Sequence, residues 1–428
     1  MGAGECCSRR GVLLLLFLLF TVGKVLSSLM QFPRQRHYPL LHSVSEDLDE
    51  RFFRDLPADI NGLTIMTTMA QRLTIRSTLP LEYLGVRNAQ KLGKLVIEPN
   101  EQLAYLELSG CPLPSWDPSL NNLTGLIGLR LSCQLSGTLD LAVFSVFPML
   151  MILQLDQNQL DRVVFTQWPN WTGPVELSLT ELYLQDNSLT HLDGTVFEPF
   201  RNLRELILSS NRLERQLEIG VPVQLPKLEK LDLSHNRLTE VDFRDWQCPE
   251  LRTVQLNCNQ LTSFPRFGIG FTSALRMLTL SFNRLTTVDE GQMSLLRNLQ
   301  LLNLDGNNIH HWPGASIDTE LPQLLGLHLS VNPLETVNFH RWHMPRLQTL
   351  YLSSDTLRTI SDDLFDRYPL LDEVRAYCRR LDCGWIERHQ PYIERRILKV
   401  VQIGTYKVAT DYNCTNRPVC YACLRYDE

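Results

Sequence analysis

Apolar and polar positions follow one another with a long, regular period along most of this chain. From about residue 103, segments of the form L-x-x-L-x-L-x-x-N-x-L recur, such as LTELYLQDNSL, which ends at Leu189, and LEKLDLSHNRL, which ends at Leu238. Within each copy, the alternation x-L-x-L predicts a short strand whose leucines face the core. A single copy cannot bury its apolar side chains alone, so the copies must stack.

The recurrent asparagine predicts a buried row of side-chain amides that bind main-chain groups where each strand turns. Successive copies place these residues at that position: Cys111, Gln134, Asn158, Asn187, Asn211, Asn236, Asn259, Asn283, Asn307, Asn332, Asp355 and, in a weaker last copy, Arg379. The step from Asn158 to Asn187 is the longest and contains WPNWTGP. We expect this insertion to project from the array with Trp168, Asn170 and Trp171, as a partner contact, a steric shield or a tolerated surface loop.

This pattern is the leucine-rich repeat signature, and the chain resembles leucine-rich repeat proteins over roughly residues 60–381. The resemblance implies an α/β fold: a leucine-rich repeat solenoid, curved as a horseshoe, with parallel strands on its concave face and a cysteine-rich C-terminal cap. We divide the chain into a signal peptide at residues 1–27, an N-terminal cap without cysteines at 28–60, about 12–13 repeats at 61–381 and the C-terminal cap at 382–428.

The concave face, with about eleven to thirteen strands, is the default binding surface of such a stack. Its mixture of aromatic, apolar and charged residues favours contact with a protein, and we expect Ile207, Met277 and Leu301 to be exposed there. Single exposed apolar residues are also ordinary on protein surfaces, so each candidate has a purely structural alternative. The candidate partner-binding residues are Tyr105, Tyr183, Ile207, Asp232, Met277, Leu301, His328, Tyr351 and Arg375.

The start of the chain predicts export. A basic beginning, the apolar run GVLLLLFLLF and the small residues Val25 and Ser27 have the order of a secretory signal peptide that is cleaved after Ser27. The apolar run is shorter than the roughly 20 residues of a membrane span, although an uncleaved anchor with acylated Cys6 and Cys7 is the alternative. We therefore predict a secreted, extracellular protein without a membrane span. The sequons at Asn122, Asn170 and Asn413 then become candidate glycosylation sites.

Export also makes the cysteines informative, because close pairs form disulfides in an oxidising compartment. Cleavage would remove Cys6 and Cys7 from the eleven cysteines and leave an odd number, so at least one thiol is free or bonded to another chain. Cys111 and Cys133 occupy nearly equivalent positions of adjacent copies, which favours a disulfide between them. In contrast, Cys248 and Cys258 flank a single strand and should stand too far apart to pair.

Five cysteines lie at the C-terminal end: Cys378, Cys383, Cys414, Cys420 and Cys423. The segment CGW that begins at Cys383 resembles the second half of the C-terminal capping module of extracellular leucine-rich repeat proteins. We expect four of the five cysteines to pair within the cap, which leaves Cys420 or Cys423 for an intermolecular disulfide. A buried free thiol at Cys248 or Cys258 is the alternative.

Motifs for catalysis are missing from the sequence. It has no G-x-S-x-G, no H-E-x-x-H, no phosphate-binding glycine loop and no double pair of cysteines with zinc spacing. The chain carries 41 Lys+Arg against 47 Asp+Glu, for a formal net charge of −6, which argues against a nucleic-acid partner. We therefore expect neither an enzyme nor a resident cofactor or metal.

An exported leucine-rich repeat chain with an atypical cysteine-rich C-terminal cap and no N-terminal cysteine cap resembles the insect leucine-rich immune molecules. The resemblance implies an innate-immune protein whose partners are a complement-like thioester protein or another leucine-rich repeat chain, with a possible disulfide-linked dimer. Residues 384–428 show no sustained heptads, so the chain resembles the members without a coiled coil. An adhesion or matrix protein, a soluble Toll-like decoy and an inhibitor of a secreted enzyme remain the alternatives, because all of them use this scaffold.

Overall fold

The computed structural model describes residues 38–57, 59–166, 177–214, 223–312, 319–378 and 380–400. Within them, sixteen strands form one parallel sheet whose order follows the chain, and this confirms the predicted leucine-rich repeat solenoid. The strands are Leu40–Leu41, Gly62–Ile65, Tyr83–Val86, Tyr105–Ser109, Gly128–Ser132, Ile152–Gln154, Glu181–Tyr183, Glu205–Ile207, Lys230–Asp232, Thr253–Gln255, Met277–Thr279, Leu301–Asn303, Gly326–His328, Thr349–Tyr351, Glu373–Ala376 and Leu398–Val400.

The return segments on the opposite, convex side are irregular. Short parallel pairs join neighbouring layers there: Arg72–Ile75 with Lys94–Ile97, Ser136–Asp140 with Gln159–Val164, Asp242–Phe243 with Arg266–Phe267, Thr319–Glu320 with Trp342–His343, and Thr336–Val337 with Thr359–Ile360. The 3-10 helices are Pro118–Asn122, Leu141–Val146 and Gly194–Phe197. The α-helices are Glu50–Arg54, Ile269–Thr272, Glu290–Met293, Leu364–Arg367, Cys383–Arg388 and Gln390–Glu394.

Aspartates begin several of these short helices. The side chain of Asp140 accepts a hydrogen bond of 3.0 Å from the backbone N–H of Ala142, and Asp193 accepts one of 2.9 Å from Thr195. A carboxylate at this position satisfies a backbone donor that has no partner inside the helix. The chain can therefore turn on the convex side within four to six residues and return to the sheet.

The core is one continuous stack of leucines. Leu182, Leu206 and Leu231 stand side by side on neighbouring strands, and all three are completely buried. Each layer covers the apolar side chains of the layer before it, which is why stacking stabilises copies that cannot fold alone.

A ladder of asparagine side chains joins these layers, as the sequence predicts. The Asn211 amide oxygen accepts a hydrogen bond of 3.0 Å from the N–H of Leu189 in the preceding layer. Its Nδ2 donates to the carbonyls of Leu184 and Leu208 at 2.9 and 3.1 Å, so one buried amide serves two layers. The residue before each asparagine has a left-handed backbone, with φ of 55° at Ser210, and this turns the chain out of the strand.

The sequence prediction of the ladder is wrong at two positions. Gln134 and Asp355 are exposed, whereas the preceding residues, Cys133 and Ser354, are buried in the ladder. The thiol of Cys378 fills the same position in the last repeat and donates to a carbonyl of the preceding layer at 3.3 Å. A small side chain can occupy this place one residue earlier in the turn, and the leucine pattern does not distinguish the two registers.

The first layers close the N-terminal end without cysteines. The strand Leu40–Leu41 pairs with Thr64 and Ile65, and the side chains of Val44 and Leu48 are buried in the core. At the other end, the buried Trp385 stacks on His389 with 4.2 Å between ring centroids, and Phe365 stacks on Tyr392 at 3.8 Å. The sheet has more strands than the eleven to thirteen expected, because its terminal strands carry no asparagine to mark them.

Several sequence predictions lie outside the described residues. They are the signal peptide at 1–27, the insertion with Trp168, Asn170 and Trp171, the ladder position of Arg379, the sequon at Asn413 and the cap residues Cys414, Cys420 and Cys423.

Candidate functional site

The solvent-facing side of the sheet, the concave face, presents two neighbouring rows of side chains in register. In the first row, Tyr83, Tyr105, Gly128, Ile152, Glu181, Glu205 and Lys230 stand on successive strands. In the second, central row, Tyr183, Ile207 and Asp232 are followed in later layers by His328, Tyr351 and Arg375. Each candidate residue is therefore in the row that its spacing from the ladder position predicts.

The N-terminal half of the face holds a cluster of aromatic and aliphatic side chains that is separate from the core. We call these six residues the tyrosine cluster: Tyr38, Tyr83, Tyr105, Met151, Ile152 and Tyr183. Tyr38 stacks on Tyr83 with 4.6 Å between ring centroids, and Gly62 leaves the space that the Tyr38 ring occupies. The sequence pattern predicts Tyr105 and Tyr183 as binding residues. It does not predict Tyr38 and Tyr83, because they precede the copies that carry the clear motif. Tyr83 does occupy the same strand position as Tyr105, and this match is a signal that could identify it from the sequence.

Ion pairs border this cluster on the central row. The buried carboxylate of Glu107 accepts hydrogen bonds from the Tyr83 hydroxyl at 3.0 Å and from Arg87 at 2.9 and 3.0 Å. Arg130 lies 3.6 Å from Glu107 and donates to Asp156 at 2.9 Å. Burial and the neighbouring Glu107 carboxylate raise the pKa of Tyr83 to about 12. Two arginines thus balance two acids, and this end of the face is rigid and close to neutral.

Two glutamates meet at the other end of the cluster. Glu181 stands directly opposite Glu205 on the next strand, and the Tyr183 hydroxyl donates to Glu181 at 2.8 Å and to Glu205 at 3.5 Å. Among the described residues, Lys230 is the cation that pairs with them, at 3.7 Å from Glu205. Burial raises the pKa of Glu181 to about 7, and the hydrogen bond from Tyr183 only partly offsets this rise. Glu181 therefore changes charge close to neutral pH.

The C-terminal half of the face brings three predicted residues together. His328 stacks on Tyr351 with 4.2 Å between ring centroids, and the Arg375 guanidinium lies 4.3 Å from the centroid of the same tyrosine ring. Glu373 accepts hydrogen bonds from Arg375 at 3.0 Å, from Tyr351 at 3.2 Å and from Lys399. These contacts order long side chains before any partner arrives.

Burial also shifts two ionisable groups beside this stack. Burial, together with the nearby Arg375, lowers the pKa of His328 to about 4. The imidazole is therefore neutral at physiological pH. Burial raises the pKa of Asp305 to about 7, against the hydrogen bond of 2.6 Å that its carboxylate accepts from the N–H of Ser330. This half of the face contains a second carboxyl group that titrates near neutrality.

The middle of the face carries smaller side chains, and the expectation that Ile207 is exposed there is wrong. Ile207 is only 6% exposed, because Tyr183 and Asp232 stand one strand away on either side and shield a short branched side chain. Met277 and Leu301 stand opposite each other and are half-buried. The carboxylate of Asp232 accepts a hydrogen bond of 2.9 Å from the N–H of Ser234. One of its oxygens is therefore already hydrogen-bonded within its own turn.

The cysteines divide into one disulfide and several thiols. Cys111 and Cys133 form the favoured disulfide, with 4.5 Å between their Cα atoms, inside the ladder of adjacent layers. Cys248 is a buried free thiol, and burial raises its pKa to about 12. Cys378 is also a free thiol, buried in the ladder position, and burial raises its pKa to about 11. The pairing expected for it in the cap involves cysteines outside the described residues and stays a prediction. Cys383 is exposed and free at the start of its helix.

One predicted glycosylation site lies in the described part of the chain. Asn122 is half-buried, and its Nδ2 donates a hydrogen bond of 2.7 Å to the carbonyl of Ile97 in the neighbouring layer. Glycosylation replaces one of the two hydrogens on this nitrogen, so the remaining N–H would have to make the hydrogen bond to Ile97. Glycosylation of Asn122 stays a prediction.

Within the described residues, no group of three or more His, Cys, Asp or Glu side chains is arranged to hold a metal ion. The chemistry of the concave face is that of recognition: ordered rings, half-buried aliphatic side chains and paired charges on a rigid sheet.

Profiles of known families match the repeats. A leucine rich repeat model matches residues 178–242 and 249–309, and a model for two copies of leucine-rich repeats matches residues 226–267. The chain is a leucine-rich repeat protein.

Curated relatives of this leucine-rich repeat protein match it in part. Chaoptin from Drosophila melanogaster is 31% identical over 38% of this chain and 12% of its own length. Podocan from Mus musculus is 30% identical over 52% of the chain and 34% of its own length. Tsukushi from Gallus gallus is 29% identical over 63% of the chain and 78% of its own length. The chain thus spans only a minor part of Chaoptin and Podocan, and podocan and tsukushi are secreted extracellular proteins.

Solved structures share the fold. The Toll–Spatzle complex from Drosophila superposes with a TM-score of 0.57 at 19% identity over 83% of this chain and 48% of the other. The LRIM1/APL1C complex gives a TM-score of 0.55 at 21% identity over 81% of this chain and 63% of the other.

Among the described residues, no helix is long and apolar enough to cross a membrane.

Proposed function

We propose that this leucine-rich repeat protein is secreted and binds another protein across its concave face, in innate immune recognition or in the assembly of complement-like complexes. The observation that carries the proposal is the pair of ordered clusters on one rigid sheet, the tyrosine cluster and the stack of His328, Tyr351 and Arg375. Half-buried aromatic and arginine side chains of this kind are enriched where proteins bind tightly. The proposal includes no catalytic activity.

The immune part of the proposal is supported by structural neighbours. One of them is a complex of Toll with Spatzle, described as a hub in development and innate immunity, and another is a complex of two proteins, LRIM1 and APL1C. These similarities concern the fold, so a complement-like thioester protein or another leucine-rich repeat chain is our proposal for the partner of this chain. A disulfide-linked dimer is part of that proposal.

A matrix or adhesion role is the second candidate. It is supported by the secreted relatives podocan and tsukushi, which match this chain at 30% and 29% identity. The two roles differ in where the protein is found rather than in how the concave face works.

The test uses the full chain, secreted from animal cells with an affinity tag and incubated with body fluid of the source animal. The variant Tyr183→Ser/Met277→Ser/Leu301→Ser/Tyr351→Ser removes apolar side chains from the concave face. The matched control, Met69→Ser/Val96→Ser/Met149→Ser/Leu370→Ser, removes exposed apolar side chains elsewhere. We expect the wild type and the control to retain a partner that the concave variant loses.

The outcomes separate the roles. Partner loss only in the concave variant, with recovery of the wild type on microbial surfaces, supports immune recognition. Recovery in the insoluble matrix of uninfected tissue instead supports the adhesion role. Equal retention by both variants contradicts binding through the concave face. Comparison of mass with and without reductant shows whether the complex is joined by a disulfide.

A further inference from the structure

The tyrosine cluster and the two glutamates beside it form one continuous surface. Ile152, at the edge of the cluster, stands directly opposite Glu181, and Glu181 stands directly opposite Glu205. Tyr183 belongs to both parts, because its ring packs in the cluster and its hydroxyl donates to both carboxylates. An apolar area therefore passes into an acidic one without an intervening layer.

The charges at the two ends of this surface are not equivalent. At the N-terminal end, Arg87 and Arg130 balance Glu107 and Asp156 through contacts of 2.9–3.6 Å. At the other end, the one ion pair that the described residues make with the two glutamates is that of Lys230, which is 3.7 Å from Glu205. Like charges directly opposite on neighbouring strands destabilise a sheet, and a further cation offsets that repulsion. The unbalanced charge lies beside the apolar cluster.

The geometry of this surface fits a cationic side chain that also has an apolar stem. Lysine and arginine place their methylene groups against apolar surfaces while the charged group reaches a carboxylate. Tyrosine rings attract the same cations through their faces. A purely apolar partner would bury the Glu181–Glu205 pair further with no cation beyond Lys230 among the described residues, and an acidic partner would add a third like charge.

We propose that the tyrosine cluster and the Glu181–Glu205 pair dock an extended segment of a protein partner in which apolar residues alternate with lysine or arginine. The inference rests on the proposed function and names the kind of partner that the concave face accepts. From Tyr83 to Glu205 the surface crosses five strand spacings, or about 24 Å, which an extended segment of about seven residues spans.

The experiment measures fluorescence anisotropy of three labelled nine-residue peptides with the full secreted chain. One peptide alternates leucine and arginine, the second alternates leucine and glutamate, and the third alternates glycine and arginine. The variant Glu181→Gln/Glu205→Gln removes the acidic pair with little change in shape. Its matched control, Glu240→Gln/Glu250→Gln, makes the same change of net charge at exposed positions outside the sheet.

We expect the leucine–arginine peptide to bind about tenfold more tightly than either other peptide. The Glu181→Gln/Glu205→Gln variant should lose about tenfold in affinity for it, and the control should remain within about twofold of the wild type. Binding should also be tighter at pH 8 than at pH 6, because a bound cation favours the ionised form of Glu181.

Equal binding of the leucine–arginine and glycine–arginine peptides would overturn the apolar part of the inference, and tighter binding of the leucine–glutamate peptide would overturn its charge. An unaffected Glu181→Gln/Glu205→Gln variant would place the peptide elsewhere. If sedimentation shows a dimer of the free protein that this variant dissociates, the surface is occupied by a second copy and the inference is wrong. In the body-fluid experiment, a partner lost by the concave variant but kept by Glu181→Gln/Glu205→Gln would contradict this inference and leave the proposed function standing.

Discussion

The Tyr183 hydroxyl donates a hydrogen bond of 2.8 Å to the Glu181 carboxyl group, two residues earlier on the same strand. Alternation puts both side chains on the concave face, and Glu205 faces them from the next strand. The hydrogen bond does not make Glu181 an ordinary acid, because its burial disfavours the charged form more strongly. Its pKa of about 7 has a measurable consequence for stability.

Glu181→Gln should change the pH dependence of stability. A carboxyl group whose folded pKa is raised from 4.5 to about 7 binds more protons in the folded state between those values. The wild type therefore loses stability as pH rises through this range. We expect the variant to equal the wild type near pH 4.5 and to exceed it by about 3 kcal/mol at pH 8, measured by urea unfolding. The exposed variant Glu240→Gln should show no such divergence, and parallel curves for Glu181→Gln would contradict the prediction.

Asn259→Ala should destabilise the stack. The amide oxygen accepts a hydrogen bond from Leu238 at 3.0 Å, and the nitrogen donates to the carbonyls of Leu233 and Leu256 at 2.9 and 3.1 Å. Alanine leaves the buried N–H of Leu238 without its partner, and the carbonyls of Leu233 and Leu256 each lose one of two hydrogen bonds, since they also accept from Asn236 and Asn283. We expect a cost of about 2–3 kcal/mol in the free energy of unfolding. The control is the exposed Thr262→Ala, which should cost about 0.5 kcal/mol or less. If Asn259→Ala costs as little as this control, water replaces the hydrogen bonds of the asparagine side chain.

The disulfide between Cys111 and Cys133 should stabilise the first repeats. It closes a loop with a sequence separation of 22 residues, so Cys111→Ala/Cys133→Ala is expected to lower the free energy of unfolding by about 2–4 kcal/mol. Reductant should destabilise the wild type by a similar amount and leave the double variant unchanged. A reductant effect on the double variant would instead locate a stabilising disulfide among the C-terminal cysteines.

Val331→Asn should stabilise the protein. Val331 has φ of 58° and is 66% exposed, and branching at its Cβ makes a left-handed backbone costly. The equivalent turn one layer earlier uses Gly306, and asparagine tolerates this conformation better than valine. We expect a gain of about 0.5–1 kcal/mol in thermal or urea unfolding. Leu370→Asn, which also replaces an exposed apolar residue, should give no comparable gain. Equal gains would show that the effect comes from removing an exposed apolar side chain and not from the backbone conformation.

The thiols should differ in reactivity. Cys383 is exposed, whereas burial raises the pKa of Cys248 to about 12 and that of Cys378 to about 11. Alkylation of the native protein followed by peptide mass spectrometry should modify Cys383 first if its thiol is free in the secreted protein, and Cys248 and Cys378 only after denaturation. Rapid native labelling of Cys378 would contradict its place in the ladder.

Leucine spacing predicts the repeat, the parallel sheet and the two rows of the concave face, since it fixes which side chains alternate into the core. It also favours the Cys111–Cys133 disulfide, because equivalent positions of adjacent copies lie one layer apart. The sequence could not determine the burial of Ile207, the place of Cys133 rather than Gln134 in the ladder, or the terminal strands such as Leu40–Leu41. These depend on the size of neighbouring side chains and on turn geometry, which the repeat pattern leaves open.

The grouping of the candidate residues follows from how the layers stack, which the sequence pattern does not specify. Residues of the two rows form two separate clusters, because Tyr105 and Tyr183 pack with Tyr83 and Ile152 while Tyr351 stacks between His328 and Arg375. The raised pKa of Glu181 and of Asp305 has the same origin. Burial and the distance between charges on different strands are properties of the assembled sheet, and no single copy of the repeat contains them.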